Sequence, residues 1–408
     1  TMKRSAQKAT SKQTKAYNTR LVLRTIYDHD RISRADIARA TGLTRPTVSD
    51  AVAGLSRRGL VEEVGQGPSA GGKPPILLSV IDDSRHAIGI DLASDEFRGA
   101  VVNLRGEIRH RASLPLDGRD GEVALERVYE LVDHLLSATG SPLLGIGIGT
   151  PGLMDPTKGI VRRAVNLDWQ DLPLRSLLKK RYGLPLYVAN DSQVAALAEF
   201  TFGGEQATDS LVVIKVEHGI GAGIVLNGRL FHGDTFGAGE IGHVVVAEDG
   251  LPCRCGNRGC LETVASNQAL VRRAQALARS DPRSLLHRFA ARPEEIGISE
   301  VCQAVAAGDE AMCQEVALVG RYLGIAVANL IGVLSVQRIL IAGSLACLGQ
   351  PLLDTIQQEM VKRSLSVVAR ETRVGLSTIG PEIVVLGAAA QVLTQELGLF
   401  APFKGGLQ

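Results

Sequence analysis

Aromatic residues are scarce in this chain of 408 residues: they make up 4% of it, with a single tryptophan. No run of about 18 uncharged apolar residues occurs, the length a membrane-spanning helix needs, so no transmembrane segment and no membrane partner are expected. The N-terminus is basic without an apolar stretch behind it, which argues against a secretory signal and for a cytoplasmic protein. Six cysteines are too few for a disulfide scaffold, and three of them, Cys253, Cys255 and Cys260, fall close together. The 45 glycines follow no fixed period, which excludes a fibrous repeat and implies tight turns or close backbone approaches. What is abundant is apolar: 45% of the chain, enough to bury real cores. Length alone predicts two or three domains.

Charge is unevenly spread. Residues 1–80 hold 14 Lys and Arg against 6 Asp and Glu, a balance of +8; the chain totals +2, which leaves −6 for residues 81–408. A basic head on a mildly acidic body suggests a nucleic-acid module joined to something else, although a solvated basic tail fits residues 3–24 equally well. Patterning goes further. Val22, Leu23, Ile26 and Tyr27 form a helical stripe. In SRADIARATGLTRPTVSDAVAGLSRRGLV, Ser33 is a good N-cap, and Asp36 suits the first turn of a short helix that stops at Gly42. Thr44 caps a second helix that tolerates Pro46 in its first turn, and Val48, Val52 and Leu55 recur on one buried face.

Two short helices around a Gly-containing turn make a helix-turn-helix, whose second helix enters the major groove. Thr44, Arg45, Thr47 and Ser49 are then placed to meet base edges or phosphates of double-stranded operator DNA. An ordinary three-helix module would share this pattern. Against it, Leu60–Val64 and Ile76–Val80 read as strands around GQGPSAGGKPP, a wing whose loop ends in Lys73 and suits a backbone or minor-groove contact.

From His86 the texture changes to strands alternating with helices. HAIGID and Arg98–Asn103 read as strands, Glu122–Ser137 as an amphipathic helix, and LLGIGIGTPG and LPLYVAND as strands running into loops before a helix over Ser192–Glu199. LVVIKVEHGIGAGIVLNGRLFHG opens a second unit through a Gly-rich hairpin. Ligands bind at such strand-to-loop junctions. Within the second unit His243, Cys253, Cys255 and Cys260 form H-x9-C-x-C-x4-C, a donor set suited to tetrahedral Zn²⁺ and to a structural role. Cys302, Cys313 and Cys347 lie in apolar contexts and are expected to pack as free, small hydrophobes.

VANDSQVAALAEF, AGEIGHVVV and CRCGNRGCLE, in that order, resemble the ROK family of repressors, open reading frames and kinases, and in particular its xylose and N-acetylglucosamine repressor branch. The resemblance implies an α/β fold class: an N-terminal winged helix-turn-helix over residues 1–82, then a two-lobed, actin-like (ribonuclease H-like) ATPase-type domain. Lobe I would span 83–200 with a C-terminal helix over 380–398, and lobe II 201–379 with the zinc loop. It also implies a sugar effector between the lobes, bound by Gly152, Asn166, Asn190, Asp191, Glu240, His243 and Glu262. His243 would then use one ring nitrogen for zinc and the other for sugar. Asp191 matches the general base of the family's kinases.

The nucleotide side departs from the kinase pattern. Asp91-Leu92-Ala93-Ser94-Asp95 has Ala and Asp where kinases carry Gly and Thr, and Glu217-His218 replaces a leading Gly-Thr. Acidic side chains facing phosphates at about 4 Å would repel them by roughly 4 kcal/mol each at an effective dielectric near 20. The expectation is a non-catalytic, sugar-responsive transcriptional repressor, a homodimer or tetramer since such heads read paired half-sites. A sugar kinase, or a bifunctional kinase and regulator, is the alternative. Control by a partner protein, and whether sugar releases or strengthens DNA binding, stay open.

Overall fold

A computed structural model describes residues 10–68, 74–204 and 209–400. The head begins with α1 (Ser11–His29), capped by Thr10 and Gln13 in a reciprocal box, and burying Val22, Leu23 and Ile26. β1 (Ile32–Ser33) leads into α2 (Arg34–Thr41), which Ser33 caps by accepting the Asp36 N–H, and which ends at Gly42 in the left-handed conformation. After α3 (Arg45–Arg57) come β2 (Val61–Gln66) and β3 (Ile76–Val80), paired antiparallel, with β1 on the far edge of β3. This is a winged helix-turn-helix. Its two-residue β1 strand is too short to register in the hydrophobic pattern.

The body repeats one topology twice. In lobe I, β4 (His86–Leu92), β5 (Glu96–Val102) and β6 (Ile108–Pro115) form an antiparallel meander, followed by α4 (Gly121–Ser137) and β7 (Leu143–Thr150). A small sheet of β8 (Leu153–Asp155), β9 (Ile160–Ala164) and β10 (Trp169–Leu172) intervenes before α5 (Leu174–Tyr182), β11 (Leu186–Asn190) and α6 (Asp191–Phe202). The main sheet runs β11-β7-β4-β5-β6, parallel on one side of β4 and antiparallel on the other. β4 is buried along its whole length, which suits its mostly apolar sequence and makes its one acid, Asp91, a buried one.

Lobe II begins with β12 (Leu211–Val216), β13 (Ile220–Leu226) and β14 (Arg229–Leu230). Helices α7 (Leu261–Ala265), α8 (Asn267–Ser280), α9 (Ile298–Ala306) and α10 (Glu310–Leu334) follow, then β15 (Arg338–Ala342), α11 (Gly349–Arg363), α12 (Ser366–Glu371) and β16 (Arg373–Leu376). Its sheet, β14-β13-β12-β15-β16, has the strand order and directions of lobe I. By length and composition α10 could cross a membrane, but more than half of its most apolar window is buried, and it packs against α11 in the lobe II core.

α13 (Ile383–Leu397) returns to lobe I and lies across β4 and β7. Gly89 and Gly147 permit that approach: a Cβ on either would stand 2.0 Å from a carbonyl oxygen of α13. α6 packs against α13 and against β12 and β13, so it joins the two lobes. One apolar cluster combines Val22, Leu23, Ile26, Val52 and Leu55 of the head with Val102 and Leu104 of lobe I and Val392 and Leu397 of α13. Arg105 adds polar ties, donating to the Tyr27 carbonyl at 2.7 Å, to Asp30 at 3.0 Å and to Asp82 at 3.0 Å.

One cysteine expectation is corrected. Cys302 of α9 and Cys347, in the turn after β15, are joined by a disulfide with Cα atoms 6.1 Å apart, while Cys313 is free. The pair is 45 residues apart in sequence, and only the docking of α9 on that turn brings it together.

Candidate functional site

On the head, the Thr44 hydroxyl caps α3 by accepting the Thr47 N–H at 3.4 Å and shares a 2.8 Å hydrogen bond with the Thr47 hydroxyl. Those two hydroxyls are thus committed to the cap. Arg45 and Ser49 stand exposed on the same helix, while Val48, Val52 and Leu55 are fully buried. Lys73 lies outside the described residues.

In lobe II, His243 closes a short 3-10 turn and Cys260 precedes α7. Backbone bonds from Cys253 to Asn257 and from Gly259 to Leu251 hold the intervening loop as a tight double hairpin. The ligand atoms of His243, Cys253, Cys255 and Cys260 lie within 4.8 Å of one another. The Cys253 sulfur is 3.6 Å from His243 Nδ1, and the Cys255 and Cys260 sulfurs are 3.7 Å apart. A tetrahedron with arms of about 2.3 Å has edges near that length. Burial pushes the Cys260 thiol up to about 12, whereas the Asn257 N–H draws Cys255 down to about 7. The four groups form a cluster that could hold a metal ion. Because Nδ1 of His243 faces the sulfurs, its Nε2 points away from them.

The acidic groups converge between the lobes. Burial raises the pKa of Glu240, Asp191 and Glu262 push the same way, and His243 opposes them, so the four share one region. Glu262 accepts the Ile220 N–H at 3.2 Å. Asn190 caps α6, accepting from the Ser192 and Gln193 N–H groups, and donates to the Gly152 carbonyl at 3.0 Å. Gly152 has φ +83°, and a Cβ there would stand 2.2 Å from the Arg163 carbonyl oxygen, so only glycine fits. Asn166 sits at the exposed mouth, donating to Ser94 and accepting from Arg254 of the cysteine loop at 3.1 Å.

Lys215 escaped the sequence reading, and Asp91 figures there only as part of the altered phosphate loop. Lys215, in β12, donates to Asp191 Oδ2 at 2.8 Å, with both side chains largely buried. Burial alone would lower its pKa, but Asp191 and Asp91 outweigh that and raise it. Asp91, at the end of β4, is pushed up to about 7 by burial, against the pull of Lys215. The signal was available: a lysine inside the apolar strand LVVIKV cannot be buried without an acidic partner.

The two acids expected to repel phosphates are instead partnered. Asp95 lies 3.3 Å from His218, and Glu217 turns into lobe II to accept from Ser344.

Matching five-stranded sheets about a cleft, behind a winged head, define a helix-turn-helix protein built on an actin-like ATPase fold. Residues 87–395 match the ROK family and residues 18–69 the MarR family. The chain belongs to the ROK family. It is 33% identical to the xylose repressor of Caldicellulosiruptor bescii, over 94% of this chain and 97% of that one. A glucokinase of Halalkalibacterium halodurans is also 33% identical, over 76% of this chain and 96% of the enzyme. A crystal structure of a ROK family transcriptional regulator, a homolog of the Escherichia coli MLC protein, superposes with a TM-score of 0.82 at 30% identity, covering 95% of this chain and 98% of that one.

Proposed function

We propose that the chain is a sugar-responsive repressor of carbohydrate-metabolism genes that acts in the cytoplasm as a homodimer or tetramer. The observation that carries this reading is the apolar core shared by the DNA-binding head, lobe I and α13. It joins a winged head to the lobe that contributes Asn190 and Asp191. The similarity to a xylose repressor over 94% of the chain supports the same reading, since the glucokinase similarity covers only 76% of it. Three functional units follow: 1–82, 83–200 with 380–398, and 201–379.

In this reading Arg45 and Ser49 of α3 meet the operator, with Thr44 and Thr47 at the helix start and Lys73 on the wing. Carboxylates of Asp191, Glu240 and Glu262 accept sugar hydroxyls in charge-assisted bonds, joined by Asn190, Asn166, Gly152 and His243 Nε2. Lys215 holds one oxygen of Asp191, which leaves that carboxylate an acceptor rather than a free base. The cysteine loop holds Zn²⁺ through His243, Cys253, Cys255 and Cys260; the ion supplies rigidity to a loop that carries sugar contacts at both ends. A kinase, or a kinase that also regulates, is favoured only by Asp191 and the glucokinase similarity. Sugar binding shifts the lobe arrangement by its differential affinity, commonly about 1–3 kcal/mol per site.

The test is a melting-temperature screen against xylose, glucose and N-acetylglucosamine, repeated with Glu240→Ala, alongside operator-DNA binding with and without the responding sugar. A sugar that raises the melting temperature of the parent chain alone, and alters DNA binding, supports the reading. A chain that no sugar stabilises, or a variant that responds like the parent, removes its basis.

A further inference from the structure

In an open α/β sheet, ligands bind beyond the carboxyl ends of the strands, at the point where the strand order changes direction. In lobe II that point lies between β12, from which the chain runs outward to β13 and β14, and β15, on the opposite flank. Glu217 is the first residue after β12, and Gly343-Ser344 follow β15 directly. The Glu217 carboxylate accepts from the Ser344 N–H at 2.9 Å, the Ser344 hydroxyl at 2.7 Å and the Asn267 side-chain amide at 3.1 Å. Three donors from two separate segments thus converge on one anion at the crevice. A backbone N–H, a hydroxyl and an amide are the groups that hold a bound phosphate.

We propose that Glu217 is a built-in anion that occupies the phosphate-binding position of lobe II and keeps nucleotides out by occupancy. This rests on the non-catalytic reading above. It also separates two ways of excluding a nucleotide: a charge that repels the phosphates from a distance, or a side chain that already sits on their donors. Gly343 contributes to the fit, because its conformation at φ +95° carries the chain past Val216 and sets the Ser344 N–H toward the carboxylate.

The experiment uses the full-length protein with Mg·ATP and, separately, inorganic phosphate as probes, read by calorimetry at millimolar ligand. Glu217→Gly exposes the three donors. Glu217→Gln removes the charge but still fills the space. The expected result is no measurable ATP binding by the parent chain, binding tightened by about tenfold or more in Glu217→Gly, and no gain in Glu217→Gln. Phosphate alone binding to the glycine variant would place the anion at the same donors, and Ser344→Ala in that background should abolish the gain.

Parent protein that binds ATP as tightly as the glycine variant overturns the proposal. So does a glycine variant that melts cooperatively yet gains nothing. Equal gains in Glu217→Gln and Glu217→Gly overturn occupancy in favour of repulsion. If the glycine variant does not fold, Glu217→Ala gives the same reading, because it likewise takes the carboxylate off the three donors. The sugar screen is read independently, so loss of the sensor reading and loss of this one are distinguishable.

Discussion

Replacing Lys215 by methionine preserves its apolar stem and deletes the ammonium that is paired with Asp191 and attracts buried Asp91. Asp191 lies 2.8 Å from that ammonium and Asp91 is 5% exposed. Removing one partner of a buried ion pair costs about 3–5 kcal/mol, because the partner left behind is neither solvated nor neutralised. With the thermal entropy typical of a unit of 150–250 residues, that corresponds to a fall of roughly 6–20 °C in melting temperature.

The loss should depend on pH, and the sign follows from Asp91. Its folded-state pKa of about 7 lies above the ordinary 3.8, so the folded chain binds the proton more tightly than the unfolded chain does. Asp91 therefore favours folding at low pH, and that advantage is lost as pH rises through the window from about 4 to about 7. Without Lys215 the buried Asp91 can escape its isolation only by protonation. Lys215→Met should then be much less destabilised at pH 5 than at pH 8. Urea or thermal unfolding at both pH values measures this. A melting-temperature change below about 2 °C, or an equal change at both pH values, would refute the view that Lys215 neutralises a buried acidic pair.

Three further outcomes are expected. A strong chelator, or Cys260→Ser, should lower the melting temperature and weaken the sugar response together, with one zinc per chain released in a colorimetric assay of the parent protein. Arg45→Ala should weaken operator binding and reduce the slope of log K against log salt by about one if the contact is to a phosphate, or relax sequence choice at one base if it is to a guanine, as salt-series titrations would read. Lobe II also carries an apolar recess lined by Phe231, Ile241, Val244, Leu330 and Val333, the last 82% exposed. If a second copy of the chain covers it, Val333→Asp should shift sedimentation toward the monomer while leaving the melting of each chain cooperative.

The parts of the molecule that were legible in the sequence are those whose signal is local. Ser33 and Thr44 cap helices through N–H groups three residues away, and Gly42 ends α2 in the left-handed conformation, so the helix-turn-helix could be read from them. His243, Cys253, Cys255 and Cys260 span 18 residues, and donor chemistry alone singles them out. What could not be read depends on distant partners. Glu217 meets Ser344 across 127 positions, and no spacing rule links them. From the sequence it is expected as a charge that repels phosphates, because its sequence neighbours give no hint of a donor. Asn190 illustrates a mixed case: its place after a strand marked the cleft, but its side chain also serves as the cap of α6 and as a strut to Gly152.

The seam between head and body has a mechanical consequence. Tyr27 near the end of α1 stacks edge-on against Phe400 at 5.4 Å, Phe400 meets Phe202 at the end of α6 at 5.8 Å, and Arg105 lies over the Tyr27 ring. α6 starts at Asp191 and ends at Phe202, so one rigid rod runs from the acidic cleft to the root of the reading head. No slack linker stands between them to absorb a turn. Lobe I and the head share one packed seam, so in the proposed mechanism an angular change beside Asp191 would reach α3 multiplied by the length of that rod. Operator half-sites are fixed in pitch by the duplex, about 34 Å for each helical turn. If the chain acts as the proposed sugar-responsive dimer, an effector registered as an angle at the cleft would be reported as a misfit in half-site spacing.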